Sequence, residues 1–196
     1  MDLDIQVSKL KLMKANHTSQ KYRLETDIAK NYPVQIAAQK EQIAGLRADR
    51  EAVKPILEEK EKDNFSMMIG GKTYTDRKEA GTAILAACAG LKAVKSNGQI
   101  GEFHGFSLNA SYDSFYQTYK LTIKRQCSYQ IEIGKDVLGN LQRISNALTG
   151  IEKRLTEAEQ KMENLLSQLA TAQEEVEKPF PVSYTHLRAH ETTLHL

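Results

Sequence analysis

From Val137 to Val176 apolar residues recur at alternating steps of four and three without a miss: Val137, Leu141, Ile144, Leu148, Ile151, Leu155, Ala158, Met162, Leu165, Leu169, Ala172 and Val176. A repeat averaging 3.5 residues keeps one seam turned towards a partner helix, the pattern of a left-handed coiled coil. Lys, Arg, Glu and Gln fill the intervening positions, so the rest of the surface is solvated. At about 1.5 Å per residue a continuous helix here would be roughly 60 Å long. Such a rod cannot bury its seam alone and demands a second helix.

A second ladder runs Ile36, Ile43, Leu46, Val53 and Leu57, with Arg50 on one rung and Gln39 or Lys40 beside another. A weaker one precedes it: Leu3, Val7, Leu10, His17, Leu24 and Ile28, with Lys14 and Lys21 as polar rungs. Pro33, which lacks a donor and crowds the preceding turn, is expected to kink or break the helix between them, and Pro55 to bend the last turns of the second. An intramolecular antiparallel hairpin between the upstream ladders and the long one is the economical arrangement. A homodimeric coiled coil is the alternative.

Between the ladders the composition changes. Phe65 to Gly134 holds most of the aromatics and eight of the eleven glycines. Gly70-Gly71 between Phe65–Ile69 and Lys72–Thr75 predicts a β-hairpin, since both glycines tolerate positive φ. Asp76 followed by Glu79 reads as a capping box opening a helix through Ala83, Leu85, Cys88 and Leu91, closed by Ser96-Asn97-Gly98. Strict alternation then follows in Phe106, Leu108, Ala110, Tyr112, in Tyr119, Leu121, Ile123 and in Tyr129, Ile131, Ile133. With turns at Asp113-Ser114 and around Gln126, this is an antiparallel meander with one buried face. The expected fold class is therefore α+β: a long antiparallel coiled-coil hairpin carrying a small sheet and helix at its tip. The expected division is 1–63 for the first arm, 64–135 for the tip, 136–180 for the second arm and 181–196 for a tail.

Net charge of +2 hides an asymmetry. Residues 64–135 carry nine Lys/Arg against five Asp/Glu, and 136–180 carry five against eight, so a basic tip sits on an acidic arm. Lys120 and Lys124 share a strand face about 13 Å apart, with Arg125 at the strand end. These three are the candidate nucleic-acid residues, because phosphates are met by such cations; edge protection is the competing role. Two cysteines, Cys88 and Cys127, are too few for a disulfide framework. With no leader-like start and no apolar run of membrane-spanning length, the chain reads as cytoplasmic, with no membrane partner.

The search for catalytic chemistry is mostly negative. Ser66–Thr73 ends in Gly-Lys-Thr like a phosphate-binding loop, but Ser66 stands where the first glycine is required, and strand-like runs flank the glycine pair. Cys127 lacks a neighbouring histidine and reads as a small packed side chain. Asp113 and Glu132 read as turn and surface acids, His104 as structural, and His17 as a polar rung that sets register. His186 and His190 have i, i+4 spacing that could ligate a metal on a helix, but they lie in a tail that reads as non-native. No catalytic residue, cofactor site or metal site is expected.

The stretches Met1–His17, Gln20–Leu24, Phe65–Gly81 and Glu177–Pro181 resemble the C-terminal region of the large Swi/Snf-type helicase and adenine-specific DNA methyltransferase proteins of bacterial conjugative and phage-like elements. The resemblance spans Met1 to about Pro181. It implies a non-catalytic accessory arm of a DNA helicase/methyltransferase of a mobile genetic element, with DNA, the rest of the parent helicase, or a second copy through the coiled coil as partners. ATP and S-adenosylmethionine would be cofactors of the parent only, because the motor and methyltransferase motifs lie outside this region. Met1 then reads as an internal methionine, or as a start assigned to a fragment. From Ser183 onward the sequence looks like translated sequencing-adapter read-through and is set aside. The alternative is a free-standing coiled-coil scaffold or dimerisation module with a protein-binding tip.

Overall fold

The computed structural model describes the backbone of residues 2–61, 65–93 and 97–180, and the side chains of 3–54, 65–92 and 97–180. The Leu57 rung, the Pro55 and Ser96 side chains, and the tail with Ser183, His186 and His190 lie outside the described residues. The chain is a mixed helix-and-sheet protein of the α+β class with a six-stranded antiparallel sheet. Among the described residues no helix is long and apolar enough to cross a membrane.

Helix α1 (Asp2–Thr26) passes through a π-helical turn at Asp27–Asn31 into α2 (Tyr32–Glu61). Pro33 therefore does not break the helix as its chemistry suggested. It follows directly on the π-turn, where the helical bonding is already re-registered, and the Tyr32 N–H reaches back five residues to the Asp27 carbonyl. The ladders explain why a π-turn belongs here. Counting on from Leu24 and Ile28, the four-three rhythm asks for positions 31, 35, 38 and 42, whereas the chain uses Ile36, Gln39 and Ile43. One extra residue separates the two ladders, and a turn closed by an i→i+5 bond absorbs one extra residue.

The hairpin β1 (Met67–Ile69) and β2 (Lys72–Tyr74) turns at Gly70 and Gly71, with φ of +59° and +79°. Helix α3 (Arg77–Ala93) follows, its Glu79 N–H capped by Asp76 Oδ1 at 2.8 Å. Its fully buried stripe is Ala80, Ile84 and Cys88; Ala83, Leu85 and Leu91 are only half-buried. Gly81 admits Val137, because a Cβ there would lie 2.6 Å from Val137 Cγ1.

Strand β3 (Gly98–Phe103), which the alternation did not predict, pairs between β1 and β4 (Phe106–Asp113). Its face-setting positions are glycines. Gly98 and Gly101 stand opposite Ala110 and Leu108, a bulge interrupts the register between Gln99 and Gly101, and a Cβ on Gly101 would meet the Met68 carbonyl at 2.1 Å. The β3–β4 turn places His104 and Gly105 at φ of 48° and 77°. Strands β5 (Thr118–Lys124) and β6 (Ser128–Ile133) complete the order β2-β1-β3-β4-β5-β6. Phe103, Phe106, Leu108, Ala110, Leu121, Ile123, Tyr129 and Ile133 are buried on the face covered by α3 and by α4 (Val137–Thr149). The other face presents Ser107, Asn109, Ser111, Thr122 and Gln130 between charged residues, as expected of a sheet with one solvated side.

The long ladder is cut at Gly150 into α4 and α5 (Ile151–Glu177), so a single continuous helix is not formed. Gly150 donates to the Asn146 carbonyl, and the helical bonds resume with Arg154 donating to Gly150. All twelve rungs are nevertheless buried or half-buried.

Two compact units emerge: Gln39–Lys161, and a second drawn from Met1–Ala38 and the chain from Met162 onward. The division runs through α2 and α5. Within the Gln39–Lys161 unit the two segments run antiparallel. Gln39 Nε2 donates to the Ala158 carbonyl at 3.0 Å, and Arg50 faces Glu152 at 3.6 Å. Ile43, Leu46 and Val53 are buried, as are Ile151 and Leu155. Within the other unit Leu165 and Ala172 are buried, and the His17 ring meets Phe180 edge-on at 5.4 Å.

Candidate functional site

Asp49 is the most concentrated polar feature of the Gln39–Lys161 unit. It lies one helical turn beyond Gly45 on α2, both facing the β5–β6 turn. A Cβ on Gly45 would sit 2.8 Å from Cys127 Sγ, so the missing side chain lets the turn approach the helix. Asp49 has no solvent exposure, and its two oxygens take three donors from the β5–β6 turn and the start of β6. The Gln126 N–H reaches Oδ1 at 3.0 Å, and the Cys127 N–H and the Tyr129 hydroxyl reach Oδ2 at 2.8 Å each. Arg125 adds its charge at 3.7 Å from Oδ1 and donates to the Ala48 carbonyl at 2.8 Å. A buried carboxylate is tolerable only when paired and saturated with donors in this way.

The neighbouring cleft, about 300 Å³, is lined by Gln39, Gln42, Cys127, Tyr129, Arg154 and Lys161 among others. Arg154 lies over the Tyr129 ring at 5.4 Å. Burial, then the hydrogen bond to Asp49, holds the Tyr129 hydroxyl far above its usual range, and burial followed by the Asp49 charge raises the Cys127 thiol. Both groups are kept protonated as donors. This environment opposes a thiolate at Cys127.

A second buried polar residue, Asn140, works similarly. Its Oδ1 accepts from the Gly134 N–H at 2.8 Å and its Nδ2 donates to the Gly134 carbonyl at 2.9 Å, joining α4 to the end of β6. Arg143 donates to the same Oδ1.

The three cations singled out for nucleic acid do not form one free surface. Lys120 is paired with Asp113 at 2.8 Å and faces Glu132 across the ladder, and Arg125 is committed to Asp49 and Ala48. Lys124 is exposed. Asp113 also accepts from the Phe115 and Tyr116 N–H groups. Its carboxyl is held below the usual range, first by the Lys120 hydrogen bond and then by the Tyr116 N–H. The turn it orders projects Phe115 and Tyr116, 84 % and 69 % exposed, which the sequence gave no reason to single out.

The Gly-Lys-Thr of residues 71–73 runs into β2, so no helix N-terminus follows to face a phosphate; Lys72 lies over the Tyr74 ring at 4.8 Å. His104 packs edge-on against Phe103 at 4.5 Å. Among the described residues no group of three or more His, Cys, Asp or Glu is arranged to hold a metal. No protein family, curated protein or solved structure matches this chain.

Asp49 was missed because it looks like one more charge in Arg47–Glu51. The signal was its spacing: Leu46, Asp49 and Val53 fall at i, i+3 and i+7, a carboxylate on an apolar stripe.

Proposed function

We propose that the chain is a non-catalytic accessory arm of a DNA-dependent motor of a mobile genetic element, its ladders forming an antiparallel coiled-coil hairpin that presents the sheet module to DNA or to a partner. The observation that carries this reading is the Asp49 lock. A buried carboxylate saturated by the β5–β6 turn prevents the module from swivelling on α2, which suits a positioning element and serves no chemistry of its own. The resemblance of Met1–His17 and Phe65–Gly81 to the region that follows a Swi/Snf-type motor supplies the context.

The alternative, a free-standing coiled-coil scaffold with a protein-binding tip, is favoured by one observation. Phe115 and Tyr116 form an exposed aromatic pair on an ordered turn, the kind of anchor that fills a partner's pocket. Sequencing the source DNA upstream of the Met1 codon separates the two. An uninterrupted reading frame encoding helicase motifs supports the arm, and an in-frame stop immediately upstream would sink it.

A further inference from the structure

A run of cations without ion-pair partners among the described residues lies on α1. Residues 9–24 contain Lys9, Lys11, Lys14, Lys21 and Arg23 and not one acidic residue. All five are exposed, and none forms an ion pair among the described residues. Lys11, Lys14, Thr18, Lys21 and Tyr22 fall at i, i+3, i+7, i+10 and i+11, so they share one side of the helix over about 16 Å of its length. Tyr22 is 68 % exposed beside them. Like charges at such spacings repel one another, and an anionic partner removes that repulsion.

We infer that this side of α1 binds the sugar-phosphate backbone of duplex DNA, with Lys11, Lys14 and Lys21 meeting phosphates and Tyr22 offering a hydroxyl; Thr18 is committed to the Lys14 carbonyl at 2.9 Å. The inference goes beyond the accessory-arm reading and moves the DNA contact away from Lys120, Lys124 and Arg125, two of which are already neutralised. A membrane surface fits less well. An interfacial helix segregates its apolar residues on one face, whereas Ile5, Leu12 and Met13 are exposed on α1 between and opposite its cations. Without base-reading groups in a groove, binding should ignore sequence and depend on released counterions.

The test uses the full chain and a short fluorescein-labelled duplex. Three phosphate contacts predict a logarithmic salt slope near −2.7, so affinity should fall about 40-fold between about 50 and about 200 mM salt. The triple variant Lys11→Gln, Lys14→Gln, Lys21→Gln, checked for unchanged helix content by circular dichroism, should lose most of that slope. The triple Lys→Arg variant should retain it, and Lys124→Gln should bind as the parent does. The inference is overturned if the parent does not bind duplex at low salt, or if the Gln variant keeps its affinity and slope. It is also overturned if vesicles containing phosphatidylserine capture the chain more tightly than duplex does. Each of these outcomes removes the α1 face and leaves the accessory arm to its own reading-frame test.

Discussion

Asp49 on α2 and Tyr129 on β6 share a 2.8 Å hydrogen bond between two side chains withdrawn from solvent, eighty positions apart in the chain. The bond ties a helix to a sheet strand through a carboxylate that accepts three donors and a phenol that gives one. Removing one end should therefore differ from removing the other. Asp49→Ala orphans two part-buried N–H groups and a buried hydroxyl and leaves Arg125 without its counter-charge, so a loss of about 2–4 kcal/mol is expected. Tyr129→Phe leaves the carboxylate two N–H donors and should lose only about 1–2 kcal/mol. Urea midpoints for both variants and the double mutant check this; equal losses would show that the carboxylate is not the centre of the lock.

The seam gives a second expectation. Leu155→Ala and Leu165→Ala remove buried rungs and should each destabilise by about 2–4 kcal/mol. Glu157→Ala, on the solvated side of α5, should stay within about 0.5 kcal/mol. Thermal melting that fails to separate Leu155 from Glu157 would refute the seam.

Two glycines should respond in opposite directions. Gly101→Ala drives a methyl into the Met68 carbonyl, a backbone atom that cannot swing away, and should cost about 3 kcal/mol or more. Gly90 sits inside α3 with open space around it, so Gly90→Ala should stabilise by about 0.5–1 kcal/mol. Chemical denaturation of the two single variants reads both signs.

Stability should fall on the alkaline side. Burial pushes the Cys88 thiol from its ordinary 9.0 to about 11, and the Tyr129 hydroxyl rises further above its ordinary 10.0. Both folded values are raised, so the unfolded chain releases these protons first. The stabilisation is complete below about pH 9 and is lost as pH climbs through the folded values. Cys88 alone accounts for a loss on the order of 2–3 kcal/mol by pH 11. Cys88→Ala should flatten the guanidinium midpoint between pH 9 and 11 relative to the parent under reducing conditions.

Nucleotide binding offers a negative expectation with a clear reading. Because Gly70 and Gly71 make a hairpin turn, Lys72→Ala should leave ATP binding undetectable by calorimetry both before and after the change. Saturable binding lost on substitution would require a phosphate loop at this place.

The helical rungs were legible because period and burial are one relationship: Leu141 to Val176 keep the rhythm and all meet a neighbour. The meander of β4, β5 and β6 was legible for the same reason, with Phe106, Leu108, Leu121, Ile123 and Tyr129 alternating cleanly. Strand β3 was not, since close approach of β1 demands glycine where alternation would place an apolar side chain. Asp49, whose place on the Leu46–Val53 stripe was its one local mark, was hidden because the partners that saturate it come from a distant segment. The same holds for Arg125, whose partners Ala48 and Asp49 are far away in sequence. Gly150 was overlooked because a helix break that falls between rungs leaves the rhythm intact.

The π-turn at Asp27–Asn31 bears on how the chain can change length. It behaves as an absorbed single-codon insertion: remove one residue from this stretch and an ordinary α-helical turn can close, bringing the two ladders into one unbroken count. The same deletion between Gln39 and Leu46 would rotate everything beyond it by about 100° and swing Leu46 and Val53 off the buried side. Length variants of this arm should therefore accumulate at Asp27–Asn31, a helical stretch where the reading of the ladder is already offset by one.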